Sequence, residues 1–143
     1  MRRLVFVSVF ALIAAVIGLS SFDNGSAAQQ EKGKQRIYEL RTYHVLPGRM
    51  PAMLKRFREH TTELFEKHGM ENVGYWTPVD KEGETRLIYL LAHNGPEAAK
   101  KSWQGFRDDP VWHKARDASE ADGKIVEKVE SVFLKPTDFS KLK

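Results

Sequence analysis

An α+β sandwich, with a four-stranded antiparallel sheet carrying its helices on one face, is the fold this sequence predicts. Three observations lead there. Apolar residues switch between strand-like and helix-like periods in the order strand, helix, strand, strand, helix pair, strand. The two middle strands are separated only by a short polar turn, which makes them antiparallel neighbours, and each half is a strand-helix-strand crossover of the usual right hand. The segment 36–139 has the length of one domain and leaves no room for a second. Two such halves joined by a hairpin form a split βαβ, ferredoxin-like sandwich.

The first strand runs from Arg36 to Val45, rich in aromatic and β-branched residues and stopped by Pro47-Gly48. From Met50 to His68 the period changes. Met50, Met53, Leu54, Phe57, Thr61, Leu64 and Phe65 recur at three and four residues, with Pro51 in the first turn and Gly69 as C-cap, giving an amphipathic helix. Glu71 to Val79 is a second strand, placed at a sheet edge by Pro78. After the turn Asp80-Lys81-Glu82-Gly83, the nearly unbroken apolar run Thr85 to His93 is a central strand buried on both faces. Pro96 opens a second helix, Asp109 caps a third that begins at Pro110, and Gly123 ends it. Ile125 to Leu134 is the last strand, and Pro136 to Lys143 is a tail whose final residues, 140–143, lie beyond the domain.

Ahead of the domain stands a segment of another kind. Met1-Arg2-Arg3 is followed by sixteen uncharged residues, Leu4 to Leu19, and then by small residues up to Ala28. A basic start, an apolar centre and a small-residue cut site read as a signal peptide over residues 1–28, with Gln29 as the mature N-terminus. The chain is therefore expected to be exported, periplasmic or secreted. It would meet a membrane only if Leu4 to Phe22 stayed uncleaved as an anchor. Residues 29–35 form a polar linker.

Composition narrows the function classes. Lys and Arg number 23 against 19 Asp and Glu, a net charge of +4. That excess is too small and too interspersed to make a polyanion-binding field, so no nucleic-acid partner is expected. Zero cysteines exclude disulfides, thiolate nucleophiles, Cys-bound zinc and iron-sulfur clusters. No phosphate-loop, dinucleotide or nucleophile-elbow pattern occurs.

The uncovered face of the sheet needs an explanation. Strand three is apolar on both sides, so one of its faces must meet something other than water, and a second copy packed face to face is the economical answer. On the first strand, alternation assigns Tyr38, Leu40 and Thr42 to the helix side and Ile37, Glu39, Arg41 and Tyr43 to the open side. Glu39 and Arg41 would then lie inside a homodimer interface. Buried charges are costly unless paired. The pair is either a structural ion pair, within the chain or across the dimer, or the polar floor of a ligand cavity between the sheets with Tyr43 and Trp76 or Tyr75 as walls.

From Arg36 to Phe139 the chain resembles the NIPSNAP family. The resemblance is carried by Tyr38-Glu39-Leu40-Arg41-Thr42-Tyr43 followed by Pro47-Gly48, and by Phe65-Glu66-Lys67-His68-Gly69-Met70 running into Val73-Gly74-Tyr75-Trp76. Asp109-Pro110-Val111-Trp112 and the closing Phe133-Leu134-Lys135-Pro136 complete it. It implies a dimeric α/β barrel. Relatives on that architecture include small monooxygenases, haem-binding proteins and domains of no established activity, so fold alone carries no reaction across. The export signal separates this chain from eukaryotic members, whose mitochondrial or vesicle-traffic roles are not expected here.

The remaining candidates read as structure. His44 and His93 end neighbouring antiparallel strands at opposite edges of the sheet, about 25 Å apart, so they share no metal ion within one subunit. His60 and His68 make no i, i+4 pair, and no residue is singled out as a haem ligand among His44, His68 and His113. No metal or cofactor is expected. Glu59 and Glu63, each four residues from Lys55 or Lys67, form a solvated charged face. Trp103, Phe106 and Trp112 recur at core-packing spacings, with a cavity rim as the other role.

The reading that results is an exported homodimer binding a small organic ligand between its sheets through Glu39, Arg41, Tyr43, His44 and Trp76. Two alternatives stand beside it. One is a cofactor-independent monooxygenase or isomerase using Glu39 or His44 for proton transfer, and the other is a scaffold whose polar residues only hold the interface.

Overall fold

The chain was analysed as a computed structural model, which describes residues 36–80 and 85–143. The expected signal peptide, 1–28, and the expected linker, 29–35, lie outside the described residues. The elements run β1 (Ile37–Val45), α1 (Met50–Arg56), α2 (Thr62–Lys67), β2 (Glu71–Trp76), β3 (Arg86–His93), α3 (Pro96–Asp108), α4 (Pro110–Ser119) and β4 (Val126–Leu134). The sheet has the order β2-β3-β1-β4 with every pair antiparallel, so β1 and β3 are central and β2 and β4 are edges. This is the expected ferredoxin-like arrangement.

Local chemistry sets the boundaries. Between α1 and α2 the helix widens into a five-residue π segment, Phe57–Thr61. The hydroxyls of Thr61 and Thr62 donate to the carbonyls of Arg56 and Phe57 five residues back, adding side-chain bonds across the widened turn, where the Phe57 carbonyl also accepts the Thr62 N–H. β2 stops at Trp76 rather than Val79, because Pro78 has no N–H for the ladder and restricts Thr77 before it. α4 stops at Ser119 instead of running to Gly123. Gly123 instead closes a turn onto the Glu120 carbonyl at φ 111°, which suits glycine.

The core lies between the sheet and the helices. Phe65 is fully buried, stacked on Tyr89 at 5.9 Å between ring centres and in edge or tilted contact with Trp103 and Phe106. Tyr43, Phe57, Leu87, Leu91, Met53, Met70 and Ile125 complete it.

One expectation is reversed. Tyr43 meets Phe57 edge-on at 5.8 Å and Glu39 bonds to Trp103 of α3, so Glu39, Arg41 and Tyr43 face the helices, not the open side. Tyr38, Leu40 and Thr42 take the open face. A period of two divides a strand into two sets without saying which set points in. Pairing decides it here: the charged set finds its partners under α3, where Glu39 meets Arg41, Trp103, His93 and Ser131.

On the open face Leu40 lies opposite Leu90 and Val132, Thr42 opposite Ile88, and Trp76 also opposite Ile88. Trp76, Val132 and Leu134 are 52%, 54% and 41% exposed. The C-terminal tail reaches only one end of this face, where the Tyr38 hydroxyl donates to the Lys143 carbonyl. The aliphatic centre of the face is left uncovered by the tail, and its other end carries the charged group His44, Lys128 and Glu130.

Because Phe65 joins α2 to Tyr89 of β3 and to Trp103 and Phe106 of α3, Phe65→Ala is expected to cost about 3–5 kcal/mol of folding stability in urea titrations. A loss under about 1 kcal/mol would mean that the layers are not coupled through this ring.

Candidate functional site

Strand alternation puts Glu39 and Arg41 side by side beneath α3, and antiparallel pairing brings β3 and β4 in from either side. The Glu39 carboxylate accepts four hydrogen bonds. Oε1 receives Arg41 Nη1 at 2.7 Å and Ser131 Oγ at 2.6 Å, while Oε2 receives Trp103 Nε1 at 2.6 Å and His93 Nε2 at 3.0 Å. Glu39 is 1% exposed. Its Cα partners are Leu91 on β3 and Phe133 on β4, so His93 and Ser131 arrive diagonally, each two residues from the directly opposed position.

An ionised carboxylate offers about four acceptor directions, and four donors fill them. Burial alone would raise the Glu39 pKa, but the hydrogen bonds from His93, Ser131, Trp103 and Arg41 outweigh it and bring it down to about 2. Glu39 is therefore a fixed negative charge and cannot serve as the proton acceptor expected of it. Since the carboxylate only accepts, His93 Nε2 carries the hydrogen. His93 Nδ1, in a fully buried side chain, is left without a hydrogen-bond partner among the described residues.

Arg41 completes the cluster. Its Nε donates to the Tyr89 hydroxyl at 2.9 Å, and its guanidinium lies 4.2 Å from the centre of the Trp103 ring, a cation–π contact. Trp103 is thus held by its N–H on one side and by its ring face on the other. It also lines a cavity of about 530 Å³ between α3 and β4, a volume within the ordinary range of ligand pockets. Ile37, Pro96, Phe133 and Leu134 supply the other apolar walls, and Lys100, Arg107 and Lys135 the polar ones. Phe133 touches both regions, since its ring lies 6.1 Å from that of His93.

The expected site residues separate into three places. Glu39 and Arg41 form an ion pair within the chain, which the ion-pair reading anticipated, and they meet α3 rather than a partner's sheet. Tyr43 is packed in the core between Phe57 and Tyr89, 5.6 Å from the Arg41 guanidinium, and is not among the residues lining the α3–β4 cavity. His44 ends β1 with Nε2 3.4 Å from Glu130 of β4. Trp76 lies on the open face while its neighbour Tyr75 stacks inward on Tyr89. A cavity between sheets lined jointly by these five residues is therefore ruled out. In its place stands a cleft on the helix side.

The cavity-rim alternative holds for Trp103, whereas the sequence reading points to none of His93, Ser131, Lys100, Arg107 and Phe133 as site residues. The spacing Lys100, Trp103, Arg107 already placed one aromatic and two cations on a single helical stripe. His93 and Ser131 carried no local signal, because only the strand register brings them to Glu39.

Asp109 explains a second polar cluster without chemistry. Its Oδ1 caps α4 through the Val111 N–H, and its Oδ2 accepts from Lys67 and His68 at the end of α2, both at 2.7 Å. Lys67 thus serves this tie rather than the exposed face with Glu63. Hydrogen bonds from Lys67 and His68 hold the Asp109 carboxyl well below its usual range. Among the described residues no group of three or more His, Asp or Glu is placed to hold a metal ion.

The depressed Glu39 pKa sets an acid dependence of stability. The group is ionised and bonded above its ordinary value of 4.5, and its contribution disappears as pH falls through about 2. That contribution is on the order of 3 kcal/mol. Urea midpoints should therefore fall between pH 5 and pH 2, and Glu39→Gln should flatten this limb while lowering stability at neutral pH. Matching acid slopes in the two proteins would refute the assignment.

Solved structures share this architecture. A NIPSNAP family protein of unknown function from Agrobacterium tumefaciens superposes with a TM-score of 0.66 at 25% identity, over 77% of this chain and 96% of its own. A second NIPSNAP family protein from that organism gives 0.66 at 23% identity, over 76% and 99%. A Streptomyces coelicolor monooxygenase, solved with the ligand nanaomycin D, shares the fold alone, at TM-score 0.54 and 14% identity over 79% and 97%. No curated protein matches the chain. The family model of NIPSNAP matches residues 38–141, the whole span from β1 into the C-terminal tail, and the chain therefore belongs to the NIPSNAP family.

Proposed function

We propose that this NIPSNAP chain is an exported, homodimeric domain that binds a small organic molecule in the cleft between α3 and β4. One observation carries the reading. The inner wall of a 530 Å³ cavity is Trp103, whose indole N–H is fixed on a buried carboxylate and whose ring is fixed under a guanidinium. A wall held this firmly costs no ordering when a ligand arrives, which is what a binding site gains from preorganisation. The dimer rests on the open face, where Trp76 on one edge strand and Val132 on the other stand exposed with Ile88, Leu90 and Leu40 between them, a surface that a second copy would cover. Export rests on the order of basic, apolar and small residues over 1–28.

A catalytic form of the same reading is favoured by the unpartnered His93 Nδ1. Glu39 engages the imidazole through Nε2 and fixes the ring with Nδ1 unengaged, as an orienting carboxylate does for a general base. In a cofactor-independent oxygenase or isomerase, His93 would then take the proton, in place of Glu39 or His44. The side chain lies behind Phe133, so a substrate proton would have to arrive past that ring.

Nuclear magnetic resonance of the three tryptophan indole N–H groups tests the site, with 2-naphthalenemethanol as an uncharged probe. The Trp103 resonance should shift on titration while that of Trp76 does not. Movement of Trp76 alone would return the ligand to the space between sheets, and movement of neither would favour the scaffold reading. The dimer has its own check: Trp76→Asp should convert a dimer to a folded monomer in sedimentation equilibrium, and an unchanged dimer mass would refute the open face as the interface.

A further inference from the structure

We infer that the α3–β4 cleft selects an apolar molecule carrying one carboxylate, with the carboxylate at the mouth and the apolar body against Trp103 and Phe133; the inference rests on the proposal that this cleft is the ligand site. The walls divide by chemistry. Ile37, Trp103, Phe133 and Leu134 form an apolar interior, and every charged residue lining the cavity is a cation: Lys100, Arg107 and Lys135. No acidic side chain is among the lining residues.

The placement follows from the elements. Lys100, Trp103 and Arg107 are spaced three and four apart on α3, so one helical stripe presents cation, aromatic, cation to the cleft. Lys135 follows Phe133 by two residues at the end of β4 and repeats the aromatic-cation order on the facing wall.

These cations are also uncommitted. Elsewhere Arg36 pairs with Glu71, Arg56 with Glu120, Lys67 with Asp109 and Lys128 with Glu130. Among the described residues, Lys100, Arg107 and Lys135 make no such pair. The interior does not oppose an anion either. The Glu39 carboxylate behind Trp103 is already met by Arg41 at 2.7 Å and bonded by three further donors, so the cluster adds no uncompensated negative charge. An apolar body with a single anionic end satisfies both parts of the cleft, whereas a neutral body leaves three cations unmatched and a cation is repelled at the mouth.

Three probes with one naphthalene body separate the possibilities by calorimetry: 2-naphthoate, 2-naphthalenemethanol and 2-naphthylmethylamine. Decanoate and 1-decanol repeat the anion-neutral contrast on a flexible body. In low salt the acid should bind about tenfold more tightly than the alcohol, and the amine more weakly than either. High salt should erase the difference. The triple variant Lys100→Gln, Arg107→Gln, Lys135→Gln changes only exposed side chains, and should bring the acid to the affinity of the alcohol while leaving the alcohol unchanged. Equal affinities of acid and alcohol in the native protein, or an acid preference that survives the triple variant, would overturn the carboxylate inference and leave the ligand site standing. Failure of every probe to bind or to move the Trp103 resonance would overturn the site itself.

Discussion

A single buried carboxylate holds together the parts of this domain that matter most. Glu39 collects donors from β1, β3, β4 and α3, so the two central strands, one edge strand and a helix meet on two oxygen atoms. Burying such a charge is unfavourable unless its acceptor directions are filled, and here all of them are. The requirement works in both directions. Any shift of α3 or slip of a strand that withdraws one donor leaves part of a buried anion unsatisfied, which makes the arrangement specific as well as tight.

The same constraint gives the two faces of the sheet different work. On the helix side it fixes Trp103, because the indole is bonded through its N–H and covered by Arg41. Beside this fixed ring, β4 receives little cover from the helices, and Phe133 remains half-exposed where a buried edge strand would have closed the core. The cleft between α3 and β4 is thus a consequence of where the helices stop. The opposite face is aliphatic around Leu40, Ile88, Leu90 and Val132, with Trp76 on β2, and keeps its charges, His44, Lys128 and Glu130, toward one end, which suits association rather than selective recognition.

Membership in the NIPSNAP family and the likeness to a monooxygenase of the same fold describe a scaffold, while chemistry has to be read from the residues that line the cleft and from the buried cluster behind Trp103. Those residues separate roles that a list of charged side chains would merge. Glu39 is saturated and fixes its neighbours, Arg41 neutralises it, and His93 is the group left with a free nitrogen. The rim cations Lys100, Arg107 and Lys135 belong to a different layer, exposed and without an ion-pair partner among the described residues.

Periodicity, proline and glycine positions determined the element order, the central places of β1 and β3, the edge places of β2 and β4, and the capping of α4 by Asp109. These are consequences of local backbone chemistry and of short connections, both written in consecutive residues. That Glu39 and Arg41 had to be paired was also readable, since two charges alternating along a sheet strand cannot be left bare. What only the tertiary structure decided was the face on which they sit and the partners they meet. A strand's alternation has no sign, and His93, Trp103 and Ser131 lie 54, 64 and 92 residues away from Glu39 along the chain. Hydrogen bonds over such separations are specified by strand register and helix placement together, which no local pattern encodes.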